Sequence, residues 1–104
     1  MTFLNTSLIR KSILFFVAAI LSVSAMAADF NQTQTLANQG DASAQHNLGW
    51  MYKNGEGVRQ DYAKAVEWYT KAANQGNASA QYNIGLMYYG GEGVRQDYAK
   101  AAEF

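Results

Sequence analysis

The chain divides by pattern into an apolar head and a body of helical period. Ile13 to Leu21 is an unbroken apolar run, extended by Ser22 and Val23. From about residue 30, apolar positions recur at spacings of three, four and seven, the period of an amphipathic α-helix. Glycines punctuate that body at Gly40, Gly55, Gly57, Gly76, Gly91 and Gly93, and no proline interrupts it. The spacing predicts helices over about Ala42–Asn54 and Tyr62–Asn74. Asp41 and Asp61 stand at their N-caps, where a carboxylate accepts from the free amides of the first turn. Gly55 and Gly57 stop the first helix because glycine takes the left-handed backbone of a tight loop, and Gly76 ends the second.

The pattern then repeats. A shift of 36 residues lays Ala37–Trp68 on Ala73–Phe104 with 24 of 32 positions identical, which establishes an internal duplication. Asn77, Gly91, Gly93 and Asp97 rebuild the same caps and loop in the second unit. Leu36-Ala37-Asn38-Gln39-Gly40 parallels Ala72-Ala73-Asn74-Gln75-Gly76, so Phe30–Asn38 reads as the tail of an earlier second-type helix. The expected organisation is a repeat domain over 28–104: a partial helix at 30–39, one repeat at 40–75 and a shortened repeat at 76–104. Phe104 falls where Trp68 falls in the first unit, so the last helix is expected to be about two turns shorter.

Helix geometry sorts the first helix of each unit. Ala44, Leu48, Met51 and Tyr52 share one face, as do Ala80, Ile84, Met87 and Tyr88, and this is the expected core. Gly49, with Gly85 as its counterpart, is expected where two helix backbones approach closely. Tyr62, Ala65, Val66, Trp68, Tyr69 and Ala72 are expected to fill the core from the second helix. Lys64, Glu67 and Lys71 can pair on its outer face. The positions that differ between units are more informative. His46, Trp50, Lys53 and Asn54 form one stripe, which reads Tyr82, Leu86, Tyr89 and Gly90 in the second unit. Such swaps are tolerated where packing is loose. Exposed aromatic side chains are typical interface anchors. The candidate protein-contacting residues are therefore His46, Trp50, Lys53, Tyr82, Leu86 and Tyr89.

These spacings resemble the Sel-one-like repeat, a relative of the tetratricopeptide repeat. The resemblance is carried by Gly40, Ala44, Gln45, Leu48, Gly49, Met51, Tyr52, Gly55, Gly57, Val58, Asp61, Ala65, Trp68, Tyr69, Lys71, Ala72 and Ala73. It recurs at Gly76, Ala80, Gln81, Ile84, Gly85, Met87, Tyr88, Gly91, Gly93, Val94, Asp97 and Ala101. It implies an all-α, right-handed α/α solenoid whose first helices line the concave face, and a role as scaffold or adaptor for protein partners. Cysteine-rich relatives have been linked to β-lactam hydrolysis. Here no serine after residue 27 has a lysine at S-x-x-K spacing, and the chain has no cysteine.

The head has its own reading. Arg10 and Lys11, the apolar run and Ala25-Met26-Ala27 stand in the order of a secretory leader, with cleavage expected after Ala27. The run is well short of the roughly 20 residues a membrane span needs. The remaining 77 residues carry six basic and eight acidic side chains, a formal charge of −2. That balance gives no electrostatic reason to expect nucleic acid or an anionic membrane as partner. The expected location is periplasmic or secreted, with a protein or peptide as partner, either within the envelope or as the target of a secreted effector. The absence of cysteine excludes disulfides and thiolate metal sites. His46 is the only histidine and has no convergent partners in the pattern, so no catalytic residue, metal or cofactor is expected. Two units are fewer than solenoids usually need. The expectation is marginal stability, with self-association or a partner covering the C-terminal end.

Overall fold

A computed structural model describes residues 29–104. The leader expected over residues 1–27 lies outside the described residues. Every regular element among the described residues is helical. Residues 29–38 form α1, followed by α2 (Ala42–Asn54), α3 (Tyr62–Asn74), α4 (Ala78–Gly90) and α5 (Tyr98–Ala101). The bounds of α2 and α3 are those the periodicity predicts. The last helix is shorter than expected, a single turn.

The caps explain why the helices start and stop where they do. Asp41 accepts from the Ala44 amide at 2.8 Å, and Asn77 from Ala80 at 2.8 Å. Asp61 and Asp97 accept from the Lys64 and Lys100 amides at 3.1 and 2.9 Å. Gly55 and Gly91 end α2 and α4 in the left-handed region, each at φ 69°, and donate to the Met51 and Met87 carbonyls. The following loops are copies of each other. The Gln60 side chain donates to the Lys53 carbonyl at 2.8 Å, and Gln96 donates to that of Tyr89 at 3.0 Å.

α2 packs on α3, α3 on α4, and α4 on α5, the sequential stacking of a helical solenoid. The core runs through the stack as Ala37, Ala44, Leu48, Tyr52, Ala65, Tyr69, Ala72, Ala73, Ala80, Ile84 and Met87. Five expectations need correction. Met51 is only half-buried, unlike Met87, and borders a small hollow with Asp29, Glu56 and Gly57. Tyr88 is also only half-buried, its ring stacked on Phe104 at 5.9 Å between centroids. Tyr62 is exposed rather than core. Trp68 is half-buried, with the Lys71 ammonium 4.3 Å above its ring, so that lysine packs on an aromatic face.

Gly49 is the fifth. Its nearest neighbour is not a second backbone. It is the Tyr69 ring, and a Cβ on Gly49 would lie 2.8 Å from its Cδ1. At Gly85 the close neighbour is backbone, the Ala101 carbonyl oxygen at 3.2 Å. Gly93 makes a tighter backbone contact than either. A Cβ on Gly93 would lie 2.5 Å from the Tyr62 carbonyl, so the second loop rests directly on the start of α3.

Candidate protein-contact face

α2 and α4 carry the stripe that differs between the repeats, and they present it on a shared face. Trp50, Tyr82, Leu86 and Tyr89 are exposed there. Helical spacing puts Trp50 one turn beyond His46, and Leu86 and Tyr89 one and two turns beyond Tyr82. A groove of about 550 Å³ between the helices is lined by His46, Trp50, Ala78, Ser79, Tyr82 and Asn83. Tyr82 also borders a second groove of about 430 Å³, with Gly85, Leu86, Tyr89, Tyr98, Ala101, Ala102 and Phe104. No charged side chain lines either groove. The Tyr89 and Tyr98 rings lie 5.0 Å apart, and Gln96 donates to the Tyr98 hydroxyl at 2.9 Å, which fixes one wall of the second groove.

Two of the expected contact residues are less exposed than the other four. His46 is half-buried. Its ring lies 5.6 Å from that of Tyr69, and its Nε2 is 3.1 Å from the Asn83 side-chain nitrogen. Lys53 is half-buried at the loop end of α2. His46 thus joins α2 to α3 and α4 besides bordering the groove. The exposed apolar part of the stripe is Trp50, Tyr82, Leu86 and Tyr89.

Polar links that periodicity does not reveal tie successive helices together. Gln45 is buried and donates to the Ala37 carbonyl at 3.2 Å. Gln75 in turn donates to the Gln45 side-chain oxygen at 2.7 Å. Gln81 repeats the first contact on the Ala73 carbonyl at 3.2 Å. Gln45 and Gln81 each add a donor to a carbonyl in the last turn of the preceding helix. The one available signal was an identical polar residue recurring inside each core-facing stretch. The Tyr69 hydroxyl is the exception to this economy: it is buried and finds no hydrogen-bond partner among the described residues. Burial pushes its pKa up to about 12.

Among the described residues, no group of three or more His, Cys, Asp or Glu side chains could hold a metal ion. No helix among them is long and apolar enough to cross a membrane. Stacked helical hairpins with an apolar shared face define a helical-repeat solenoid. More narrowly, the chain belongs to the Sel1 repeat family, whose sequence model matches residues 42–77 and 78–104. Sel1 repeats are in general protein-interaction scaffolds.

Solved structures agree. A protective antigen of uropathogenic Escherichia coli strains that displays an SLR fold is 42% identical, with a TM-score of 0.73 over 74% of this chain. A Sel1 repeat protein from Oxalobacter formigenes is 33% identical, with a TM-score of 0.74 over 75%. Cysteine rich protein B of Helicobacter pylori is 26% identical, with a TM-score of 0.68 over 71%. The matches span 16%, 22% and 56% of those chains, so this chain covers less than two thirds of each. No curated protein matches it.

Proposed function

We propose that the chain is an exported binding module that takes a protein or peptide on the face shared by α2 and α4. The observation that carries this reading is the row of exposed apolar side chains there, Trp50, Tyr82, Leu86 and Tyr89, around two grooves lined without charge. Aromatic side chains immobilise few rotatable bonds for the area they cover, which makes them efficient contact residues. The apolar row is supported from behind by a buried core, so binding would not have to order the face first.

Trp50→Ala with Leu86→Ala tests it. A partner recovered from envelope extract with the full chain should bind the double variant at least about tenfold more weakly, since each truncation at an interface centre costs more than about 1 kcal/mol. Unchanged affinity, with helical circular dichroism intact, refutes the assignment. Export rests on the leader pattern of Met1–Ala27. The mature protein should begin at Ala28 when its N-terminus is sequenced, and an intact N-terminus in the cytoplasmic fraction would refute export.

A further inference from the structure

His46 is the only histidine in the chain, and it sits where the two repeats meet. Its Nε2 faces the Asn83 amide nitrogen of α4 at 3.1 Å, and its Nδ1 faces the Asn47 side-chain oxygen at 3.4 Å. The pair of contacts fits one protonation state. An amide NH2 can only donate, so Nε2 must offer its lone pair, and the single proton of the neutral ring then sits on Nδ1, toward the Asn47 oxygen. In the second repeat Tyr82 stands at the same helical position and cannot take part in such an exchange.

We propose that His46 is a pH-responsive latch between the repeats: protonation of its Nε2 turns the Asn83 amide around and changes what the groove presents. With Nε2 protonated, donor faces donor. The contact is restored only if Asn83 rotates its side-chain oxygen toward the ring and its NH2 outward. Protonation thus gives the groove between α2 and α4 a positive charge and turns the Asn83 NH2 away from the ring. The groups that face His46 or line the groove with it are Asn47 and Trp50 on its own helix, Tyr69 from α3, and Ala78, Ser79, Tyr82 and Asn83 from α4. None is a carboxylate or an amine, and imidazole is the side chain whose charge ordinarily changes between about pH 5 and 8. The consequence for recognition rests on this face being the contact surface, but the latch can be tested on the protein alone.

The test is a pH titration from 8 to 5 of the isotopically labelled full chain by nuclear magnetic resonance. The sole histidine gives one ring signal, and the Asn83 side-chain amide is followed beside it. The expected result is that the amide pair shifts with the midpoint of the His46 ring and loses its Overhauser contact to that ring below it. In His46→Tyr, which installs the residue of the second repeat, and in His46→Gln, the pH-dependent shift of Asn83 should vanish. An Asn83 amide that keeps its ring contact while His46 titrates overturns the proposal. So does one that still shifts in a variant without histidine. Neither result bears on whether Trp50 and Leu86 contact a partner.

Discussion

Gly49 and Gly85 hold the same place in their repeats, yet a methyl group added at each meets different neighbours. At Gly49 it would press on the Tyr69 ring at 2.8 Å, and that ring is fully buried and cannot swing away. Overpacking of this kind costs about 1–3 kcal/mol, more than the roughly 1 kcal/mol gained by replacing glycine with alanine in a helix. At Gly85 it would meet the Ala101 carbonyl at 3.2 Å, at the end of a one-turn helix with no buried residue, which can give way. Gly49→Ala should therefore lower the midpoint of thermal unfolding and Gly85→Ala should leave it unchanged or raise it. Equal losses at both sites would contradict this account. The same tyrosine sets an alkaline limit. Its folded-state pKa of about 12 lies above the ordinary value near 10, because burial disfavours the phenolate. That contribution is fully present below about pH 10 and is lost as the pH rises toward 12, up to roughly 2.5 kcal/mol. Tyr69→Phe should be nearly neutral at pH 7, since the hydroxyl it removes has no partner among the described residues. It should also reduce the fall in stability between about pH 10 and 12 in denaturant titrations.

Helices and loops were legible where local chemistry decides them. Capping residues and glycines gave the bounds of α2 and α3, because each cap is a contact within three or four residues along the chain. Facing partners were not legible, because they are set by stacking between units. The period places Gly49 on a packing face but cannot say that an aromatic ring rather than a backbone meets it. It marks His46 as variable between repeats but not as bonded to Asn83, 37 residues away. The second loop shows the same limit. Gly91 and Gly93 both have positive φ, at 69° and 71°, so alanine is strained at either by about 1–2 kcal/mol. Only Gly93 also lies against another element, with the Tyr62 carbonyl 2.5 Å from a Cβ. Gly93→Ala must lift the loop off the start of α3, so it should cost clearly more than Gly91→Ala. Parallel urea titrations of the two variants would show it, and a larger loss at Gly91 would mean that backbone strain, not stacking, dominates the loop.

A solenoid distributes its stability along one dimension, since each hairpin is covered only by its neighbours. The described residues make that distribution uneven. α3 lies between α2 and α4 and buries Ala65, Tyr69, Ala72 and Ala73, whereas α5 buries nothing and leaves Tyr98 and Phe104 exposed. Local opening is cheapest where few apolar contacts must be broken. Amide exchange should therefore be slowest in the middle of α3 and fastest in α5, with α4 between them because only its α3 side is well covered. The gradient also bears on binding. Tyr89 and Leu86 sit on α4, beside α5, which buries nothing, so a partner that spans both grooves should slow exchange in α4 and α5 more than in α2, which buries Ala44, Gln45, Leu48, Gly49 and Tyr52. Hydrogen–deuterium exchange of the full chain, alone and with a bound partner, measures both effects. Uniform protection from α2 to α5 in the free chain would show that the molecule opens as one cooperative unit, and the one-dimensional description would then fail.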